Sequence, residues 1–248
     1  MTDHAPFISC LCITHRRVPM LRRAVHCFLS QSWQARELLV VHEDVDTDTR
    51  DFIAHLAHPQ VRTLVVPAQP HVTLGGKRRL SVAAARGEWV ATWDDDDWSA
   101  PTRLAEEADV LRASGLAAVT LERWIVHDER LGQSWLAQRR PWEASLLGRR
   151  DALPPYEDGE RGTDRISMAW MAERGMVATL RRPHLYVYLY HGANVGSRVH
   201  FKRNIFAQST PLSAAFSQRI ARLLADPRHE APPSSDELQA ALPPGALP

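Results

Sequence analysis

Blocks of apolar and polar residues alternate along the first half of the chain, and the blocks have the lengths of strands and helices. Residues 7–13 form an apolar run that ends at Thr14, which predicts a buried strand. Residues 37–41 predict a second short strand that stops at a polar run beginning with His42. Between these strands, apolar residues at helical spacing predict a helix with one apolar face: Met20, Leu21, Ala24, Val25, Phe28 and Leu29.

The same alternation continues up to an acidic run at residues 94–97. A helix from about Asp48 and a strand at 61–66 are followed by a helix at 75–85. Residues 88–93 then predict a strand that runs directly into four consecutive aspartates. This order predicts an α/β fold with a mostly parallel central sheet flanked by helices. Because ligands gather at the carboxyl edge of such sheets, we expect the strand ends to share one rim.

The pattern is less regular in the second half of the chain. Ser99 and Pro101 are typical of a helix start. From Asp226 onward, prolines crowd a polar stretch, so we predict one domain over residues 1–225 and a disordered or loosely packed tail over 226–248. Between these points the pattern predicts strands at 116–126 and 133–138, a loop region at 139–155, a helix at 164–174, a strand at 185–190 and a helix at 213–224.

Composition excludes several classes of protein. With 248 residues, 44% of them hydrophobic, the chain can bury one globular core. Its 30 basic side chains nearly balance 29 acidic ones, so no net positive field would attract nucleic acid. Residues 1–6 lack a signal-peptide pattern, and no apolar run approaches the roughly 18 residues of a membrane span. We expect a cytoplasmic protein with no transmembrane segment, and leave open a peripheral position at the inner face of the membrane.

The three cysteines lie in apolar segments of the sequence. An odd number of cysteines without a secretory signal does not fit a disulfide framework, and no second pair completes a zinc site. We therefore predict that Cys10, Cys12 and Cys27 are buried free thiols.

The acidic run is the strongest chemical signal. Carboxylates at Asp94, Asp95, Asp96 and Asp97 repel one another, so a positive group should offset them. Mg²⁺ or Mn²⁺ does this in many proteins, held by one or two carboxylates together with the phosphates of a substrate. An acidic turn that only caps the next helix is the alternative.

Two further features share the predicted rim. Thr14 and Glu43 end the first two strands, where a carboxylate can bind a nucleoside, although each residue alone also fits a solvated strand end. Gly75-Gly76-Lys77-Arg78-Arg79 combines glycines, cations and a helix N-terminus, which favours a phosphate. A glycine turn followed by a solvated basic face explains this segment equally well.

Taken together, the order of these segments resembles the family-2 glycosyltransferases. The matching segments are Ser9 to Arg17, Gly75 to Ser81, and Ala85 to Asp97, which ends in the aspartate cluster. The resemblance is good over residues 7–105 and thin over the rest of the chain. It implies a GT-A fold that binds a nucleoside diphosphate sugar, with 7–105 as the donor half and 106–225 as the acceptor half.

The resemblance also implies roles for individual residues. Thr14 and Glu43 would lie near the nucleoside, and Lys77 or Arg78 near the base or phosphates. Asp94 and Asp96 match the family's DXD pair. Asp94 would then contact the ribose or the metal, and Asp96 would bind the metal. Asp95 would also belong to the donor site, and both Asp95 and Asp97 would orient the turn. The sequence departs from the family pattern at two positions that bear on which nucleotide is bound. His42-Glu43 replaces the family's usual Asp-Asp, and Arg79 replaces its usual Asn.

An inverting transfer also needs a carboxylate that accepts the proton of the acceptor hydroxyl. The family carries an acidic pair at the start of a helix well after the DXD pair, and Asp164 in Gly162-Thr163-Asp164-Arg165 is the best match. A helix N-terminus stabilises the ionised carboxylate and makes it a weaker base. Glu157 and Asp158, in a nearby loop, remain alternatives.

Three residues complete the predicted site. His191 follows a predicted strand and resembles the position at which relatives place a metal-binding histidine; a locally bonded histidine is the alternative. Trp142 and Glu143 precede the predicted base, and an exposed aromatic side chain there could stack on an acceptor sugar. Most tryptophans are instead packed in cores or against surfaces.

The predicted function is an inverting transfer of sugar from a nucleoside diphosphate sugar, with UDP-sugars favoured, to a glycan or lipid-linked acceptor, with Mn²⁺ or Mg²⁺ as cofactor. A role in cell-surface glycan or polysaccharide synthesis follows from the resemblance alone. The alternatives are a non-catalytic module that binds nucleotide sugars, or a nucleotidyltransferase, which would carry a glycine-rich loop after its first strand. The segment Thr14-His15-Arg16-Arg17 has no glycine. The oligomeric state is open.

Overall fold

The computed structural model describes residues 5–194 and 198–246. In the first half, strands and helices alternate as the sequence predicts. They are β1 (Ile8–Ile13), α1 (Val18–Leu29), β2 (Arg36–Glu43), α2 (Thr47–Leu56), β3 (Val61–Val66), α3 (Leu74–Ala84), β4 (Trp89–Thr92), β5 (Trp98–Ser99) and α4 (Arg103–Ser114).

The second half has shorter strands and more irregular connections. Its strands and α-helices are β6 (Ala118–Leu121), β7 (Ile125–Asp128), β8 (Gln133–Leu136), β9 (Leu147–Arg149), α5 (Thr163–Glu173), β10 (Val177–Leu180), β11 (Tyr186–Tyr190), α6 (Arg198–His200), β12 (Thr210–Pro211), α7 (Ala214–Ala225) and α8 (Ser235–Ala240). Helix α6 continues as a π-helical turn at Phe201–Ile205.

The larger sheet has seven strands in the order β10-β6-β9-β4-β1-β2-β3. Every neighbouring pair is parallel except the two made by β9. Alternate residues of β2 enter two separate apolar clusters: Leu38 and Val40 pack on the side of α1, and Leu39 and Val41 on the other side. Both faces of the sheet are therefore covered, and the predicted fold class, a mostly parallel sheet flanked by helices, is confirmed.

The smaller sheet has the order β12-β8-β7-β11-β5. The run at 116–126, for which the sequence predicts one strand, forms β6 in the larger sheet and β7 in the smaller one. Trp124 lies at the crossing and is 3% exposed. Its ring stacks on Tyr186 and Tyr188 at centroid distances of 5.1 and 5.2 Å. An apolar run alone does not show that its two ends belong to different sheets.

Strand β9 differs from the sequence prediction. The sequence predicts a loop region over 139–155, yet Leu147–Arg149 lies between β4 and β6 and is antiparallel to both. Three residues with a central glycine carry little strand signal by themselves. The hydrogen bonds of two neighbouring strands hold this short segment in the sheet.

Part of the proline-rich tail, for which the sequence predicts disorder or loose packing, forms a short helix. Helix α8 begins after Ser234, whose side chain accepts the N–H of Glu237 in a capping box. Leu238 is 1% exposed and packs into the main core, so this turn of the tail has a fixed place. Residues 247–248 of the predicted tail lie outside the described residues.

The cysteines match their prediction. Cys10, Cys12 and Cys27 are buried and free. Burial raises the pKa of Cys10 to about 12 and that of Cys27 to about 11, so both are thiols at neutral pH. Within 5–194 and 198–246, no helix has the length and apolar character needed to cross a membrane.

Candidate functional site

The carboxyl ends of β1 and β4 open into a cavity of about 1330 Å³. Its walls bring together most of the residues singled out in the sequence, from both halves of the chain. They are Thr14, Lys77, Arg78, Asp94, Asp95, Asp96, Trp142, Glu143 and Asp164. The predicted rim and the predicted base thus face the same space.

The four consecutive aspartates have different surroundings. Asp97 points into the smaller sheet, where it accepts the hydroxyl of Tyr186 and the N–H of Leu189. Asp95 accepts the hydroxyl of Thr14 at 2.6 Å. Asp94 and Asp96 also line the cavity. Thr14 therefore orients Asp95. This contact is not part of the role near the nucleoside that the sequence predicts for Thr14.

Burial has a strong effect on this cluster. It raises the pKa of Asp94 to about 7, and the negative charge of Asp96 adds to the effect. The same two causes raise the pKa of Asp95 to about 6. The cluster is thus a place where added positive charge is favourable.

Two arginines, neither of them a predicted site residue, supply part of the positive charge beside the aspartates. Arg17 donates from Nη1 to Oδ2 of Asp96 at 3.0 Å, and its Nε lies 3.4 Å from Oδ2 of Asp95. Arg23 donates to the backbone carbonyl of Asp96 at 2.6 Å. The signal for Arg17 was present in the sequence, because a basic pair closely follows Thr14 at the end of β1.

The turn before Arg17 is conformationally unusual. Arg16 has φ 52°, in the left-handed region that costs a non-glycine residue roughly 1 kcal/mol. Asp46 stabilises this turn by accepting the N–H of Arg16 at 2.7 Å while it also caps α2. The chain therefore reverses at Arg16, and Arg17 reaches the aspartates.

His191 lies against the same acidic cluster. Its Nε2 is 3.0 Å from Oδ2 of Asp96, and its side chain is 3% exposed. Among the described residues, no group of three or more His, Cys, Asp or Glu side chains is arranged to hold a metal by itself. A cation held by one carboxylate, one imidazole and the phosphates of a substrate does not need such a group, so Asp96 and His191 fit a divalent metal.

Glu43 reaches the site through its neighbours. It accepts Lys77 Nζ at 2.8 Å, and its other oxygen lies 3.4 Å from Nδ1 of His15. The Lys77 bond is the main reason that the pKa of Glu43 is below its ordinary value. Lys77 and His15 line the cavity, whereas Glu43 is not among its described lining residues.

The N-terminus of α3 is covered, which corrects one interpretation of the sequence. The N–H of Gly75 donates to the carbonyl of Gly159 at 2.9 Å, and that of Gly76 donates to the hydroxyl of Thr73 at 3.0 Å. A Cβ on Gly75 would lie 1.9 Å from the carbonyl oxygen of Glu157. These glycines allow a loop to approach the helix, and their N–H groups are not open to a phosphate.

Arg78 links α3 to Asp164 at the start of α5. It donates from Nη2 to Oδ2 of Asp164 and from Nη1 to the hydroxyl of Thr163, each at 2.8 Å. Its guanidinium carbon lies 5.7 Å from the centre of the Tyr156 ring. The side chain of Arg78 is 13% exposed and that of Asp164 is 22% exposed. The pair is therefore partly shielded from water.

The two alternative bases lie elsewhere. The side chain of Asp158 is 70% exposed and pairs with Arg79 at 3.2 Å. Among the described residues that line the cavity, Asp164 is present and Glu157 and Asp158 are not. This placement favours Asp164 over both alternatives.

Trp142 differs from the expected exposed aromatic residue. It is 1% exposed, its ring centroid lies 4.3 Å from that of Trp124, and the Arg140 guanidinium lies 3.6 Å from its ring centre. Glu143 pairs with Arg140 at 2.9 Å. Both Trp142 and Glu143 reach the cavity wall, but a free tryptophan face for stacking is not present at Trp142.

Known proteins resemble this chain in sequence and in fold. The family profile "Glycosyl transferase family 2" matches residues 9–180, more than half of the chain. The succinoglycan biosynthesis protein ExoO of Rhizobium meliloti is 27% identical over 113 residues, which cover 46% of this chain and 32% of that protein. The chain thus matches about a third of the length of this curated relative.

Two solved structures have a similar fold. S. aureus TarS 1-349 in complex with UDP-GlcNAc has a TM-score of 0.60 and 12% identity, covering 88% of this chain and 66% of that one. The mannosyltransferase PcManGT from Pyrobaculum calidifontis, in complex with GDP-Man and Mn²⁺, has a TM-score of 0.57 and 16% identity, covering 89% and 61%. Because the family profile matches more than half of the chain, the chain belongs to glycosyl transferase family 2, as the sequence predicts.

Proposed function

We propose that this protein is an inverting glycosyltransferase that moves a sugar from a nucleoside diphosphate sugar, with UDP-sugars favoured, to a hydroxyl of a glycan or lipid-linked acceptor. The observation that carries the proposal is the shared cavity, with the acidic cluster on one wall and Asp164 on another. Residues 7–105 would bind the donor and 106–225 the acceptor. A cytoplasmic location, or a peripheral one at the inner face of the membrane, belongs to the same proposal.

The donor diphosphate would lie beside Asp94, Asp96 and Arg78. Asp96 and His191 would hold Mn²⁺ or Mg²⁺ there, with Asp94 facing ribose or metal. When bound, the cation would stabilise the negative charge that develops on the departing diphosphate. The burial that raises the pKa of Asp94 supports this assignment, because a nearby cation would relieve the same penalty.

Asp164 would act as the base. As the acceptor oxygen forms its bond to the anomeric carbon, the bond from that carbon to the diphosphate oxygen breaks, and the diphosphate leaves with the electron pair. The acceptor proton moves to the Asp164 carboxylate. Attack from the face opposite the diphosphate inverts the anomeric centre. Trp142 and Glu143 would form part of the acceptor wall.

The central test measures binding and turnover of the donor. Purified protein with Mn²⁺ and a panel of UDP-, GDP- and dTDP-sugars should bind one donor and slowly release its nucleoside diphosphate to water. Asp96→Ala should weaken binding of the nucleoside diphosphate in the presence of Mn²⁺, as measured by calorimetry, and should have less effect without metal. Binding without any hydrolysis would instead favour a non-catalytic module, and an unchanged affinity in Asp96→Ala would contradict the donor site.

A further inference from the structure

Arg78 and Asp164 hold each other in the structure, although the proposed function gives them separate tasks. Both oxygens of Asp164 are engaged: Oδ2 accepts Arg78 at 2.8 Å, and Oδ1 accepts the N–H of Arg165 at 2.9 Å. Asp164 also lies in the first turn of α5. Because both oxygens of Asp164 already accept hydrogen bonds, and Oδ2 faces a guanidinium, an acceptor hydroxyl would have to share an oxygen that is already held.

The same guanidinium faces the donor side of the cavity. Arg78 lines the cavity together with Asp94 and Lys77. A planar guanidinium can form paired hydrogen bonds with phosphate as readily as with carboxylate. A diphosphate bound beside the aspartates would therefore compete with Asp164 for Arg78.

We propose that Arg78 is a positioning residue shared between the donor and the base: without donor it holds Asp164, and a bound diphosphate draws it away and frees Asp164 for the acceptor proton. This inference rests on the proposed function. It gives the reaction an order, in which the donor binds before the base becomes competent. When the nucleoside diphosphate leaves, Arg78 returns to Asp164 and the pair forms again.

A double-mutant cycle on the full chain tests this sharing without an acceptor. The variants are Arg78→Gln, Asp164→Asn and the double variant, and the probes are UDP and GDP with Mn²⁺ in calorimetry. Asp164→Asn removes the competitor for Arg78, so it should tighten binding of the nucleoside diphosphate. Loss of the negative charge of Asp164 would tighten binding of an anion even if Arg78 were not shared. The competition for Arg78 is therefore measured as the difference between two changes in affinity: that caused by Asp164→Asn in the unaltered protein and that caused by Asp164→Asn in the Arg78→Gln variant. We expect these two effects to differ by about threefold or more, as for residues in contact.

Arg79→Gln is the matched control. Arg79 is the next residue on α3 and pairs with Asp158 rather than Asp164. Combined with Asp164→Asn, it should leave the effects on affinity additive. Arg78→Lys should keep part of the affinity and of the coupling, because it keeps the charge but not the paired hydrogen bonds. Circular dichroism and thermal melting verify that each variant is folded.

Each contrary result has a distinct meaning. If Asp164→Asn changed the affinity equally with and without Arg78→Gln, the sharing would be overturned and Arg78 would be an ordinary donor contact. An unchanged affinity in Arg78→Gln would also overturn it and leave the pair as a structural tie between α3 and α5. Failure of the unaltered protein to bind any nucleoside diphosphate would overturn the proposed function and the inference together, and the first titration alone would show this.

Discussion

At the scale of single residues, the site is organised by ion pairs across the cavity wall. Arg17 lies against Asp96, Lys77 against Glu43, Arg78 against Asp164 and Arg140 against Glu143. Ion pairs of this kind hold charged side chains in place before a substrate binds. A pair must then rearrange if the substrate bonds to one of its members. The identity of the base is the assignment on which the chemistry depends most.

Replacing the base should separate binding from turnover. Asp164→Asn keeps the shape of the side chain but cannot accept the acceptor proton, so turnover should fall by about 10²-fold or more while donor binding is retained or becomes tighter. The rate of nucleoside diphosphate release from a donor sugar measures this. Asp158→Asn, at the exposed alternative, serves as the control and should keep its rate. A normal rate in Asp164→Asn together with a loss in Asp158→Asn would exchange the two roles.

At the scale of elements, the turn between β1 and α1 decides where Arg17 lies. Asp46, the cap of α2, accepts the N–H of Thr49 at 3.2 Å and the hydroxyl of Thr49 at 2.9 Å, in addition to the N–H of Arg16. One side chain thus links the start of α2 to the strained turn. Helix stability and the geometry of the acidic cluster are coupled through it.

Removal of this link should affect both stability and binding. Asp46→Ala should lower the free energy of unfolding by about 1–2 kcal/mol, the usual cost of a lost cap. It should also weaken nucleoside diphosphate binding, because Arg16 loses the bond that holds its left-handed turn. Urea unfolding and calorimetry measure the two effects. Ser213→Ala, which removes the cap of α7, should lower stability alone. Equal binding in both variants would show that the turn does not depend on Asp46.

At the scale of the whole molecule, a buried arginine at the start of α4, Arg103, connects the two sheets through its hydrogen bonds. Arg103 and Glu107 have fully buried side chains 3.1 Å apart. Arg103 also donates to the hydroxyl of Ser99 and to the carbonyls of Thr92 and Ala144. It therefore connects the end of β4, the strand β5 and the turn that precedes β9.

Loss of this arginine should be costly. Arg103→Met leaves Glu107 buried without its partner and should lower the free energy of unfolding by about 3–5 kcal/mol. Burial already raises the pKa of Glu107 to about 7, so the native state binds its proton more readily than the unfolded state does. Stability should therefore fall further as the pH rises from about 5 to 8, because the carboxyl must then ionise while buried. Urea unfolding at both pH values tests this.

A second substitution provides the comparison for Arg103→Met. Adding Glu107→Leu removes the unpaired carboxyl and should recover part of the stability and most of the added pH dependence. If the double variant were as unstable and as pH-dependent as Arg103→Met alone, the unpaired charge would not be the cause. The destabilisation would then come from the lost bonds to Ser99, Thr92 and Ala144.

The sequence by itself determined the alternating first half, the family, and the strand ends that carry Thr14 and the aspartates. These features follow from local periodicity and from chemistry that lies close together in the chain. Only the tertiary structure decided that Leu147–Arg149 is a strand, that Trp142 is buried, and that the N-terminus of α3 is covered. It also brought Arg78 to Asp164. Such contacts join segments that are distant in the chain, and neither segment alone carries a signal for its partner.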